Sequence, residues 1–154
     1  MLKALSSRAC LFGVLALAVS GAVFAQQSPT SGLGQAWPNA ADVSSSPNYH
    51  AYVFTLGGIQ FVQVNDLNGN VLGAVGTANG QFITLPVGRF SQLVSTPQQA
   101  PLVAPAAAAA TPTTVYQDSA TTVTATPLSD GTMQLKAAAA CSGDPAQCSS
   151  HNPQ

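Results

Sequence analysis

The chain has 154 residues, of which 6% are charged, and its formal net charge is −1. Four cations, Lys3, Arg8, Arg89 and Lys136, cannot neutralise a run of phosphates, which argues against nucleic-acid recognition and against electrostatic docking on anionic lipid. The length suits one domain, and a 46% hydrophobic content is enough for one core.

Residues 1–25 have the three-part layout of a secretory signal peptide: Lys3 and Arg8, an apolar run over 9–24, then Val23-Phe24-Ala25. The run is shorter than the roughly twenty residues of a bilayer span, and Cys10 stands at its front, where no lipid anchor is attached. The expectation is a signal helix, cleavage before Gln26, and an exported product, periplasmic or extracellular, with no transmembrane segment left. Two cations then face five aspartates, a balance of about −3, and the chain has no glutamate. Residues 26–48, rich in Ser, Gly, Ala and Pro around the single Trp37, read as an irregular lead-in.

Residues 49–90 carry the strongest pattern. Gly57-Gly58, Asn68-Gly69 and Asn79-Gly80 separate runs rich in Val, Ile and Phe, and each suits a two-residue hairpin turn. The spacing predicts an antiparallel four-stranded meander over about 49–86, with strands at 49–56, 59–66, 70–77 and 81–85, and Pro86 helping to end the last. Pairing through these turns sets Phe54 against Phe61, Val62 against Val75, Asn65 against Leu72, and Gly76 between Phe61 and Ile83. One face collects Phe54, Leu56, Ile59, Phe61, Leu72, Ala74, Ile83 and Leu85. The other carries Tyr49, Ala51, Val53, Val62, Val64, Val71, Val75 and Phe82. A sheet with one side in water shows polar residues there, so this valine face requires a cover.

Three covers are available: the lead-in around Trp37, the later Thr/Val strands, or another protein molecule. Residues 91–113 read as an Ala/Pro-rich linker. Residues 114–136 have β-forming composition, with Asp130-Gly131 as a turn; they are either strands that close the meander into a sandwich or open barrel, or a disordered arm. In the tail, 137–154, Cys141 and Cys148 are expected to form a disulfide in an oxidising compartment. A Cys141, Cys148 and His151 metal site would lack a fourth ligand.

Chemistry is sparse. Asp66, Asn68 and Asn70 have the spacing of a calcium loop, but Val71 and Thr77 stand where such a loop wants glycine and glutamate, and a turn explains them. His50 falls beside Asn65 with no nearby carboxylate evident to orient it. No nucleophile elbow, phosphate loop or zinc helix motif occurs. No residue is assigned a catalytic, cofactor or metal role, and the chain is not expected to be an enzyme. Two roles remain. The first is an interaction or structural module that meets a protein partner or a second copy through Trp37, Tyr49, Tyr52, Val53, Val62, Val64 and Val75, or through a free strand edge. The second is a small-ligand or carbohydrate binder using its exposed aromatics.

Overall fold

A computed structural model describes residues 30–140. The expected signal helix, the Cys141–Cys148 disulfide and His151 lie outside the described residues. Those described form an all-β fold of two antiparallel sheets. The first joins β1 (Tyr49–Leu56), β2 (Ile59–Asp66), β3 (Val71–Ala78) and β4 (Gln81–Thr84) in chain order; the second joins β5 (Thr113–Gln117), β6 (Thr121–Pro127) and β7 (Met133–Ala139).

The meander has the expected register through most of its length. Phe54 opposes Phe61, Val62 opposes Val75, and Gly76 lies between Phe61 and Ile83. At Gly57-Gly58 and Asn79-Gly80 both central residues have positive φ, the conformation that lets a two-residue turn follow the strand twist. The middle reversal is longer. Asp66 accepts hydrogen bonds from the Asn68 and Asn70 N–H groups, so β3 begins at Val71. Leu72 then becomes the extra residue of a bulge, and Asn65 pairs with Val71, a correction to the expected Leu72.

The valine face is covered by the protein's own second sheet. Ala51, Val62, Val64, Val75 and Phe82 share one core with Val115, Tyr116, Val123, Ala125, Leu135 and Ala137. The Thr/Val segment is therefore strand, and the alternative of a disordered arm does not hold. Its pattern is one-sided: Val123, Ala125, Leu135 and Ala137 point into the core, while the intervening Thr122, Thr124, Gln134 and Lys136 are more accessible. Weak hydrophobicity along the sequence conceals this alternation, because half of each strand is polar.

Residues 91–113 also depart from a simple linker. After a 3-10 turn at Ser91–Leu93, Leu93 and Val94 are buried. Ser95 lies along β7, donating to the Leu135 carbonyl at 2.8 Å and accepting from the Ala137 N–H at 2.9 Å. Further on, Ala109 donates to Pro127 and Ser129 donates to Ala107, so the alanine tract is tied to the end of β6. The prolines of this stretch lack N–H donors and limit it to isolated bridges.

Every edge strand carries a local cap. Val43 donates to Ala51 on β1, and Ser45 donates to Val115 on β5. Gln98 accepts from the Phe82 N–H on β4 and Gln99 from the Thr84 hydroxyl, while Ser95 serves β7. These contacts occupy part of each edge and shorten the stretch open to pairing.

A polar clip joins the two sheets at Gln60, whose amide donates to the Tyr116 hydroxyl at 2.9 Å and to Asp118 at 3.2 Å, while Tyr116 donates to Asp118 at 2.7 Å. Burial, with the hydrogen bond to Asp118 and its charge, pushes the Tyr116 phenol up to about 12. An unfolded tyrosine titrates near 10. The fold thus keeps the proton longer, and this contribution to stability is full below about pH 10 and lost as pH rises toward about 12. Urea midpoints are expected to fall across that window. Asp118→Asn is expected to return the Tyr116 titration, followed by ultraviolet absorbance, toward the ordinary value.

Candidate functional site

Among the residues expected as a contact surface, the two sheets divide the work. Val62, Val64 and Val75 are buried between the sheets and Val53 packs against the same core; none of the four offers a docking surface, because β5, β6 and β7 occupy it. Tyr49 is half-buried on that side, its hydroxyl 3.8 Å from the Met133 sulfur. Trp37 and Tyr52 belong elsewhere, on the outer face of the first sheet.

That outer face holds two fully buried amides. Gln63 and Asn65 are each 0% exposed, and an amide so placed must be hydrogen-bonded. Their partners are in the lead-in. The Gly34 N–H donates to Gln63 Oε1 at 2.6 Å, Gln63 Nε2 donates to the Gln35 carbonyl at 2.8 Å, and Asn65 Nδ2 donates to the Ala36 carbonyl at 2.7 Å. Gln63 also donates to Asn65 Oδ1 at 2.9 Å. A further bridge pairs Ser31 with Asn39 and closes the loop on itself. The lead-in is irregular in dihedral terms but pinned at three consecutive residues.

The next residue is Trp37. Its indole packs on the turn between β2 and β3, where a Cβ on Gly69 would lie 2.6 Å from Cε2; only a glycine leaves room. The ring is nevertheless 59% exposed. His50 meets it edge-on, with centroids 5.4 Å apart, and Tyr52 stacks behind His50 at 6.1 Å. The His50 Nδ1–H donates to Asp42 Oδ2 at 2.6 Å, so the carboxylate absent from the sequence reading is supplied by the lead-in. Asp42 is positioned because it pairs with Tyr52 across the β1 edge and accepts from the Ala51 and Ser44 N–H groups. Burial opposes its charge, but the His50 hydrogen bond and these two N–H groups outweigh that and hold the carboxyl below its ordinary range. Burial and the Asp42 charge raise the Tyr52 phenol.

This arrangement leaves defined hydrogen-bonding atoms. With Nδ1 bonded to a carboxylate, neutral His50 presents Nε2 as an acceptor. Among the described residues the one buried side-chain polar atom without a partner is the Thr121 hydroxyl. Tyr52 Oη and His50 Nε2 meet no protein partner; the His50 side chain is 23% exposed and Tyr52 only 5%. Further along β1 on the same face Phe54 is buried, and exposure resumes at Leu56, 74% exposed, with Ile83 51% exposed on β4.

Other candidates are engaged or isolated. Asp66, with Asn68 and Asn70, is used up by the turn: Oδ1 takes both N–H groups and Oδ2 takes the Asn70 amide at 2.8 Å. No group of three or more metal-ligating side chains occurs among the described residues. An open cleft of about 440 Å³ lies between Arg89, Phe90, Val103 and Asp130, but Asp130 is committed to Thr132 and Arg89 lies over the Phe90 ring. Among the described residues no helix is long and apolar enough to cross a membrane. Comparison with family models, curated proteins and solved structures finds no match.

Proposed function

We propose that the chain is an exported, non-enzymatic binding module whose contact centre is Trp37, flanked by His50 and Tyr52. The export reading rests on the layout of residues 1–25. The observation that carries the binding reading is an exposed tryptophan held by a loop whose three preceding residues are fixed by buried amides. Burying two polar side chains to immobilise a loop that exposes its largest ring does little for the core. It does prepare a contact surface, since a preordered tryptophan loses little entropy on binding and is a frequent centre of binding energy.

Contact fits the site better than catalysis. Asp42 and His50 form a dyad, but no hydroxyl or thiol is hydrogen-bonded to Nε2 among the described residues, and an activated nucleophile needs that bond. The experiment is retention of material from the extracytoplasmic fraction of the producing cells on the immobilised chain. Trp37→Ala, with circular dichroism and thermal midpoint close to those of the parent, is expected to lose what the parent retains. Equal retention by both, or none by the parent, would overturn the reading.

A further inference from the structure

We infer that the ligand of this surface is a neutral carbohydrate chain; the inference rests on the binding role of Trp37 and names its ligand class. The atoms around the open indole are of three kinds. His50 Nε2 accepts in the neutral ring and donates in the protonated one, Tyr52 Oη donates or accepts, and the indole N–H donates. A hydroxyl group is both donor and acceptor and satisfies any of them. A pyranose adds an apolar face of C–H groups that lies flat on an indole.

Charge narrows the choice. The carboxylates nearest the indole are already engaged: Asp42 receives hydrogen bonds from His50, Ser44 and Ala51, and Asp66, on the turn under the ring, from Asn68 and Asn70. Engaged in this way, the two carboxylates have little left for a cation. Among the described residues the cations are Arg89 and Lys136, and neither is hydrogen-bonded or ion-paired to His50, Tyr52 or Trp37. An uncharged ligand rich in hydroxyls meets these conditions.

The open part of the site is the indole itself: Trp37 is 59% exposed, whereas Tyr52 and Phe54 on the outer face of β1 are each 5% exposed. One ring of a sugar chain therefore stacks on the indole, and a hexamer offers several rings for that single place.

Trp37 is the single tryptophan of the chain, so its fluorescence reports this site alone. The full processed chain is titrated with cellohexaose, maltohexaose and the hexamer of N-acetylglucosamine. A saturable shift in emission with at least one of them is expected, and Tyr52→Phe, which removes only a hydroxyl, is expected to weaken it roughly fivefold. No change with any of the three at about 10 mM, where millimolar dissociation constants still register, would overturn the inference, as would unaltered affinity in Tyr52→Phe. The retention experiment separates this from failure of the binding role itself. Periodate, which cleaves vicinal diols, is expected to destroy the retained material while protease leaves it. Loss to protease and survival of periodate would keep Trp37 as the contact residue and make the partner a protein.

Discussion

Gly88→Ala is expected to lower the stability of the full chain by about 3–5 kcal/mol, a large share of what a domain of this size possesses. After β4 the chain turns back over the start of β3, where Arg89 and Phe90 donate to the Val71 and Leu72 carbonyls. Gly88 makes this return possible by lying backbone to backbone: an added Cβ would stand 2.6 Å from the Gly73 nitrogen and 2.6 Å from the Leu72 carbonyl carbon. No rotamer change relieves an overlap with main chain. Its φ of +98° adds the strain of a conformation disfavoured for L residues. Gly58→Ala supplies the control, because Gly58 also has positive φ but has nothing within 4 Å of the added carbon. Its expected penalty is about 1–2 kcal/mol, from backbone strain alone. Urea denaturation of the two variants measures the difference. Equal losses would show that the crossing at Leu72 and Gly73 yields easily and that the bulge does not fix the register.

The features written locally in the sequence were the ones that could be read. Paired glycines or Asn-Gly fix where a chain reverses, and alternation then fixes which side chains share a face. That is why Phe54, Phe61, Gly76 and Ile83 line up as expected. The Asn68-Gly69 turn is one residue longer than its dipeptide implies, because the capping by Asp66 depends on side-chain geometry. Which face is internal was a question of a different order. Both faces of the meander are apolar, and the choice is made by strands some forty residues further along, whose own hydrophobicity is halved by outward threonines.

The candidate site was less legible still. His50 and Asp42 are joined only because residues 42–43 cross the β1 edge, and no periodicity announces that crossing. One clue was present. Gln63 and Asn65 stand at alternate positions in the middle of a strand whose neighbouring residues are Phe61, Val62 and Val64, on the side opposite the valines. Two amides on one face of a buried strand demand backbone partners, and the proline- and glycine-rich lead-in is the segment with carbonyls and N–H groups to spare. Read that way, the loop bearing Trp37 could have been placed on the outer face.

Gln63→Leu tests that dependence and is expected to act on the loop more than on the sheets. Leucine has nearly the volume of glutamine, so the substitution removes the bonds to Gly34, Gln35 and Asn65 without opening a large cavity. A buried donor or acceptor left unpaired costs about 1–3 kcal/mol, and three such groups together would exceed the stability that most of this loop can contribute. The cheaper response is for residues near Gly34 and Gln35 to lift away and regain water, a local opening and not global unfolding. The expected loss is therefore about 2–3 kcal/mol, with a greater change at Trp37: red-shifted emission, easier quenching by acrylamide, and weakened ligand retention while the far-ultraviolet β signature persists. Asn65→Ala is expected to do the same through Ala36, and the double variant to lose less than the two added together, since both amides hold one segment. Unchanged Trp37 emission in Gln63→Leu would mean that the indole is held by Gly69 and His50 alone, and the case for a preordered binding loop would fall with it.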